Sequence, residues 1–296
     1  MRNAGNKKRG KGAKPKRPSA VKMSSSAAVT VAANARKPVK ERIAAMGNVT
    51  QAVCEKDNKF QALLKVLRNT NEPIGVRLAA LQALQAASFA VVQFESRRAD
   101  YLATLRAVAT DADPELRQRV LDLLAREKDG FAQQRLLEGL QQPEKALVPP
   151  EKALQLLSYD IHAEAYPLAR TIVKNPPNED AKREALRLLA ADASSKPLFE
   201  RILNDKEETK ENRQLSASAL QAIAPEAMQT RARELLLDPK EYDDIQATSL
   251  TALTQFGNAA EVEKDKKLLK RVASLKSAGS TKLKQGARRF LTKYGP

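Results

Sequence analysis

The residue types that most often carry enzyme chemistry are scarce in this sequence. Its 296 residues include one histidine (His162), one cysteine (Cys54) and no tryptophan. Serine or cysteine catalysis with a histidine base would have to use His162 in every case, and the sequence around it supplies neither a nucleophile nor an oxyanion hole. A zinc site built from Cys and His needs several copies of them, and a disulfide within the chain needs a second cysteine. We therefore expect a protein that is not an enzyme and that uses no metal or cofactor.

A phosphate-binding motif is partly present near the start of the chain. Gly5, Gly10 and Lys11 have the spacing of a P-loop, but Gly12 stands where a Ser or Thr would hold magnesium. No strand precedes the segment and no apolar helix follows it. We interpret the match as a chance product of a Gly/Lys-rich segment.

The net charge of +17 is concentrated at the two ends of the sequence. Residues 1–40 contain twelve Lys or Arg and no acid, residues 264–296 contain eleven and one acid, and the remainder has a net charge of −5. Low apolar content and self-repulsion predict that 1–40 is a disordered polybasic tail. Such ends favour contact with a polyanion such as nucleic acid, without base-specific reading, because the tail has no aromatic residue to stack on bases. The candidate polyanion-binding residues are Lys7, Lys8, Arg9, Lys11, Lys14, Lys16, Arg17, Lys266, Lys267, Lys270, Arg271, Lys284, Arg288 and Arg289.

From about Lys59 onward the apolar residues recur at three- and four-residue spacing, which predicts amphipathic helices and no strands. Similar segments return at intervals of 30 to 40 residues, each with two helices around a turn rich in Asp, Asn or Pro. No stretch has the roughly 20 consecutive apolar residues that a membrane span needs. The second helix usually carries a small residue followed by a leucine, which we expect in the core of the repeat. These structural leucines are Leu81, Leu121, Leu154, Leu186, Leu220 and Leu250.

The repeat resembles the HEAT family, in which a turn with proline precedes an apolar-Arg pair and an Ala-Leu core. Val76-Arg77 and Leu116-Arg117 match the pair, Pro149-Pro150 replaces it in the third copy, and Leu215-Ser216 lacks the cation. The resemblance implies an all-α, right-handed α-α superhelix (a HEAT/ARM-like solenoid) of about seven helix pairs. We expect the disordered tail over 1–40, a linker or lead-in helix over 41–58, and the solenoid over 59–296 with a basic capping pair at about 261–296.

The two matching arginines have a structural interpretation and a functional one. On an inner surface they could bind phosphate, whereas in HEAT-like repeats this cation commonly joins a ladder with the Asp or Asn of the inter-helix turn. Asn71 and Asp111 each lie six residues before Arg77 and Arg117. We therefore expect the structural role for both.

The fold alone does not define the function, since unrelated binding proteins share it. The resemblance implies a non-enzymatic scaffold or adaptor that binds a protein partner on the concave face lined by the second helices, with basic termini that contact a polyanion. One alternative is a protein whose main activity is DNA or RNA binding, and another is an accessory enzyme like the phycobilin lyases. We expect a cytoplasmic or nucleoid-associated location, or a nuclear one if the source is eukaryotic. No small-molecule substrate is evident.

Overall fold

The computed structural model describes residues 23–160 and 164–295, and all regular structure in these ranges is helical. This confirms the predicted all-α class. Within these ranges no single helix is both long and apolar enough to cross a membrane, although the bent pair Ile74–Ser88 and Val91–Val108 meets the length and composition criteria together. The chain divides into two compact units, Met1–Tyr101 (unit 1) and Leu102–Pro296 (unit 2). The sequence predicted a single solenoid from residue 59, so the observed division differs from the expected one.

The helices of the described residues, in chain order, are α1 (Ser25–Ala32), α2 (Val39–Met46), α3 (Thr50–Glu55), α4 (Asp57–Arg68), α5 (Ile74–Ser88), α6 (Val91–Phe94), α7 (Arg98–Val108), α8 (Pro114–Arg126), α9 (Gly130–Gln141), α10 (Pro150–Leu157), α11 (Ala165–Lys174), α12 (Glu179–Leu189), α13 (Lys196–Asn204), α14 (Lys210–Ile223), α15 (Pro225–Leu237), α16 (Asp243–Phe256), α17 (Ala259–Val262), α18 (Lys266–Leu275) and α19 (Thr281–Tyr294). Short 3₁₀ turns lie at Glu95–Arg97, Pro143–Lys145 and Ala193–Ser195.

Unit 1 contains two helix pairs, α1 with α2 and α4 with α5, and the second pair packs against the first. The Ser24 hydroxyl oxygen caps α1 by accepting a hydrogen bond from the Ala27 N–H at 3.3 Å. Ala28, Val29 and Ala32 of α1 are buried. This corrects the predicted tail, because the repeat begins before residue 40; the part of the tail in residues 1–22 lies outside the described residues. The buried face of α1 has only small apolar side chains, so its periodicity is weak in the sequence.

Unit 2 contains the remaining pairs, α9 with α10, α11 with α12, α13 with α14, α15 with α16, and α18 with α19. Its second helices, α8, α10, α12, α14, α16 and α19, each pack against the next one in this order. Helix α7 begins in unit 1 and ends in unit 2. Stacked helix pairs of this kind are the architecture of HEAT/ARM-like solenoids, in which each pair shares its core with its neighbours.

Four of the second helices, α8, α12, α14 and α19, begin at a side-chain cap. The side chains of Asp113, Asn178, Thr209 and Ser280 each accept a hydrogen bond from the N–H three residues further on, at 2.8, 2.7, 3.3 and 3.3 Å. Such caps satisfy N–H groups that have no partner within the helix. The six structural leucines, Leu81, Leu121, Leu154, Leu186, Leu220 and Leu250, are all buried.

Candidate functional site

The fourth residue of most second helices is a cation, and two of these cations, Arg77 and Arg117, bind main-chain carbonyl groups. Arg77 of α5 donates from Nε to the carbonyl oxygen of Leu67, 3.0 Å away near the end of α4. Arg117 of α8 donates from Nη1 to the carbonyl of Asp111 at 2.7 Å and from Nε to that of Leu147 at 2.6 Å. These carbonyl groups lie at or beyond helix ends, where helical partners are missing. Both guanidinium groups therefore hold adjoining elements together.

Two further arginines occupy this position, and the sequence interpretation missed both. Arg42 of α2 donates from Nε to the Ala32 carbonyl at 2.9 Å, and Arg213 of α14 donates from Nε to the Leu203 carbonyl at 3.0 Å. The sequence interpretation had assigned this position to Leu215-Ser216, nearly one helical turn too far along the chain. Counting four residues from Thr209, the capping residue of α14, would have found Arg213.

Each of these two arginines also forms a buried ion pair with a glutamate of the following turn. Arg42 donates to both carboxylate oxygens of Glu72, at 2.6 and 2.8 Å. Arg213 does the same with Glu241, at 2.9 and 2.7 Å. The exposed fractions of the side chains are 2% and 8% in the first pair and 2% and 0% in the second. Ion pairs enclosed to this degree are accessible to no ligand, so their role is structural.

The Glu241 carboxylate accepts more than its arginine bonds. Lys206 donates to it at 2.6 Å, and the N–H of Tyr242 donates at 2.9 Å. Burial raises the pKa of the Glu241 carboxyl, but the hydrogen bonds from Arg213 and Lys206 outweigh burial and bring the pKa below its ordinary value. The carboxylate is therefore held in its charged form.

The same position varies in the other second helices of unit 2. Lys182 of α12 donates to Glu208 at 2.5 Å, which repeats the pairing with the following turn. Gln246 of α16 donates instead to the main-chain carbonyl of Asp238 at 2.9 Å. Helix α10 begins only at Pro150, where the other copies carry their cation. This position is therefore occupied by an ion-paired cation in some second helices and by the uncharged Gln246 or by Pro150 in others.

An apolar groove of about 740 Å³ lies along the turns that join the first and second helices around α8 to α11. Two arginines, Arg117 and Arg135, reach it, and no carboxylate lines it. Arg135 is exposed at the rim and pairs with Glu138 at 2.8 Å. The rest of the lining is apolar: Pro114, Leu136, Gly139, Leu140, Pro143, Ala146, Leu147, Val148, Pro149, Pro150, Ala153, Ile172 and Pro177.

The groove exists because α10 starts late and the chain before it folds back on α9. A Cβ atom at Gly139 would lie 2.9 Å from the Cα of Ala146, so only glycine allows this close approach. The Leu147 carbonyl has no helix of its own to enter and is held by Arg117. The sequence showed the Pro149-Pro150 irregularity, but nothing in it indicated that a groove would result.

The predicted basic residues of the C-terminal pair do not share one environment. Lys266, Lys267 and Lys270 of α18 and Arg288 and Arg289 of α19 are exposed. None of the five takes part in an ion pair found among the residues that the structure describes. Arg271 and Lys284 are half-buried, and Arg271 donates from Nε to the Leu236 carbonyl at 3.0 Å. The structure therefore separates exposed cations from cations that stabilise the fold.

A cleft of about 340 Å³ lies between α16 and α19. Helix α19 can approach α16 closely because Gly286 lies there, where an added Cβ would be 3.3 Å from Leu250 Cδ1. The polar side chains that line the cleft are Thr251, Thr254, Gln255, Lys282, Gln285 and Arg289. Arg289 was among the sequence candidates, whereas Lys282 was not.

Unit 1 exposes an apolar tip between α5 and α6 that the sequence interpretation did not identify. Phe89, Val91 and Val92 are 77%, 60% and 86% exposed. The chain turns here from one helix into the next, and these three side chains face solvent.

Of the two residues that the sequence offered for catalysis, the structure describes only Cys54. Cys54 is buried, its thiol donates to the Ala87 carbonyl at 3.7 Å, and burial raises the pKa of that thiol. In residues 23–160 and 164–295, no group of three or more His, Cys, Asp or Glu side chains is placed to hold a metal ion. His162 and the basic residues Lys7, Lys8, Arg9, Lys11, Lys14, Lys16 and Arg17 lie outside the described residues.

Comparison with known proteins gives distant structural likenesses and no family assignment. No family model matches the sequence, and no curated protein matches it. An engineered protein aligns over 92% of this chain and 89% of its own, with 15% identity and a TM-score of 0.47. The complex of CpcE and CpcF of phycocyanin lyase from Nostoc aligns over 92% and 97%, with 16% identity and a TM-score of 0.39. A designed armadillo repeat protein aligns over 90% and 98%, with 14% identity and a TM-score of 0.34.

Proposed function

We propose that this protein is a non-enzymatic helical-repeat scaffold that binds a protein partner, and that its basic ends contact a polyanion such as nucleic acid. The observation that supports protein binding most directly is the apolar groove of about 740 Å³ beside α8 to α11. A contiguous apolar depression of this kind on a folded chain is a common feature of sites that receive partner side chains. The groove lies along the inter-helix turns, so it adds a second candidate surface to the predicted face of second helices.

The chemistry of the groove limits what it would bind. Five of its lining residues are prolines, which have no backbone N–H to offer to a partner strand. A segment whose own backbone is already hydrogen-bonded, such as an amphipathic helix, suits such a lining better than an extended strand. Arg117 and Arg135 are its charged lining residues, so an acidic group at the edge of the partner's apolar face would be complementary.

Site-specific photo-crosslinking in the native host tests this proposal. A photoreactive amino acid at Ala146, in the groove, is compared with one at Gln134, an exposed position of α9 outside it. We expect a discrete protein adduct from position 146 that is absent from position 134 and that weakens when Arg135→Glu is combined with the probe. The same adducts from both positions, unchanged by R135E, would contradict binding at the groove.

The alternative that nucleic-acid binding is the main activity is favoured by one observation, the exposed cations of α18 and α19 that lack carboxylate partners in the described ion pairs. Truncation of residues 1–40 would not test the tail alone, because α1 and part of α2 lie in that range. Removal of residues 1–22 alone is the appropriate test of the tail. A loss of oligonucleotide affinity and of its salt dependence would support a role for the tail, whereas equal binding would oppose it.

The proposal that the protein is not an enzyme concerns His162 and Cys54 in particular. No described residue favours a lyase-like accessory activity, and the likeness to the phycocyanin lyase complex is too distant to support one. Replacement of both residues by Ala should leave the measured function unchanged. Loss of function with the helical content intact would show that one of them has a chemical role.

A further inference from the structure

We propose that the cleft between α16 and α19 binds the phosphodiester backbone of a nucleic acid, with Lys282 and Arg289 as the charged contacts. This inference rests on the proposed polyanion contact and assigns it to one place on the fold. Lys282 and Arg289 both line the cleft of about 340 Å³, and both are exposed. Gln255 of α16 and Gln285 of α19 line it as well and are exposed, so amide N–H groups lie on both walls.

The charge of this cleft differs from that of other second helices in unit 2. On α8, Arg119 pairs with Glu115 at 2.6 Å. On α12, Arg183 pairs with Asp180 and Arg187 pairs with Glu184. These partners lie on the same helix and neutralise the local charge.

Helix α19 contains no acidic residue, and none lines the cleft. Lys282 and Arg289 therefore take part in none of the ion pairs found among the described residues. Two cations that take part in none of these ion pairs, placed beside neutral hydrogen-bond donors, form a site suited to an anionic ligand.

The spacing of the donors suits a chain of phosphates. Lys282 and Arg289 are two turns apart on α19, about 10 Å along the helix axis. One nucleic-acid strand advances ~3.4 Å per nucleotide, so this distance corresponds to about three nucleotides. The hydroxyl groups of Thr251 and Thr254 already donate to the Ala247 and Leu250 carbonyls of their own helix. The donors left for the ligand are therefore the two cations and the two glutamine amides.

The lining favours phosphate contacts over base reading and over a protein ligand. No aromatic side chain lines the cleft, so bases cannot stack there. Both charged side chains of the lining are cations, whereas charged residues are depleted at the centre of a protein interface. We therefore expect binding that is independent of base order and strongly dependent on salt.

The test compares two double variants of the full chain that remove the same charge. Lys282→Ala with Arg289→Ala removes the cations of the cleft, and Lys266→Ala with Lys270→Ala removes two exposed cations of α18 that do not line it. Binding to labelled single-stranded oligonucleotides of two unrelated sequences is followed by fluorescence anisotropy over a range of salt concentrations. Circular dichroism establishes that each variant is folded.

For the cleft variant we expect the slope of log K against log salt to fall by about 1.4, because each lost phosphate contact on a single strand contributes about 0.7. At about 0.1 M salt this corresponds to roughly a 25-fold loss of affinity. The α18 variant should lose less than about threefold, because it changes only the long-range field. A third variant, Gln255→Leu, should weaken binding without changing the salt slope.

Three other outcomes would overturn the proposal in whole or in part. Equal losses in the two double variants would overturn the cleft as the site while leaving the polyanion contact of the basic ends intact. No oligonucleotide binding by the unmodified chain at low salt would overturn both. Binding of polyglutamate that depends on Lys282 and Arg289, without such dependence for oligonucleotides, would show that the cleft takes an acidic protein segment and would overturn the nucleic-acid assignment.

Discussion

The buried arginines of the ladder and the exposed cations of the C-terminal pair belong to the same residue class but have opposite environments. Arg213 is enclosed between α13 and α14 with its charge matched by Glu241, whereas Lys282 and Arg289 face solvent without an acid beside them. The first arrangement makes the cation part of the core of the repeat, and the second leaves it able to bind a ligand. What distinguishes them is the position of the nearest carboxylate, which no local sequence pattern reveals.

The largest expected effect follows from breaking a ladder pair. Glu241→Ala leaves the Arg213 guanidinium buried without its counter-charge, and such a loss typically costs ~3–5 kcal/mol of unfolding free energy. Urea unfolding followed by circular dichroism measures it. Replacing both partners, Arg213→Met with Glu241→Leu, should cost much less, because no charge is then left buried. A cost below ~1 kcal/mol for Glu241→Ala would show that the pair does not contribute as the structure indicates.

An uncharged core position provides the next comparison. Leu186 of α12 is fully buried, and Leu186→Ala should lower the unfolding free energy by ~2–5 kcal/mol through lost packing and a residual cavity. The same urea titration measures this loss. Unlike the Glu241→Ala effect, it should not vary as the pH falls below about 4.5, because no titrating group is involved. A pH-dependent loss would indicate that the cavity disturbs a neighbouring ion pair.

The ladder also predicts a particular sensitivity to acid. The pKa of Glu241 is below its ordinary value of about 4.5 in the folded protein, so its stabilising effect is complete above that value and is lost as pH falls through the lower, folded-state pKa. Glu241→Gln should therefore show a weaker dependence of the urea midpoint on pH below about 4.5 than the unmodified chain. Glu115→Gln is the matched control, since Glu115 forms an exposed pair with Arg119. Equal acid profiles for the two variants would contradict the special role of Glu241.

The smallest expected effect is on stability when the exposed cations are removed. Lys282→Ala with Arg289→Ala should change the unfolding free energy by no more than ~0.5 kcal/mol, because neither side chain is enclosed or paired with an acid among the described residues. Thermal unfolding measures this directly. A large loss of unfolding free energy would show that Lys282 and Arg289 stabilise the fold as the ladder arginines do. The two groups of cations would then not differ in role.

Much of the architecture could be predicted from the sequence because it depends on short-range patterns. The three- and four-residue spacing of leucines such as Leu121 and Leu186 indicated the helices, and the recurrence of the pattern indicated stacked pairs. The first pair escaped detection because the buried face of α1 consists of Ala and Val. The sequence interpretation placed the apolar-cation pair of α14 at Leu215-Ser216 and missed Arg213. The reason is that small residues fill α14 and that Asn212, which is not apolar, precedes Arg213.

The surfaces were harder to predict because they depend on residues that are distant in the sequence. The groove results from the late start of α10 combined with the close approach of Gly139 to Ala146. The cleft combines Gln255 of α16 with Lys282 and Arg289 of α19, on separate helices. The sequence shows how many cations the chain has, but only the fold shows which of them have an acidic partner.

The ion pairs of the ladder have a direction along the chain. In the ladder ion pairs described above, the cation precedes its acid: Arg42 comes before Glu72, Lys182 before Glu208 and Arg213 before Glu241. During synthesis the N-terminal part leaves the ribosome first. The cation is therefore synthesised before its acid. It is still hydrated at the end of the partly folded array when the next turn, with the carboxylate, folds against it. Assembly in the order of translation never has to enclose an acid whose counter-charge has yet to be made.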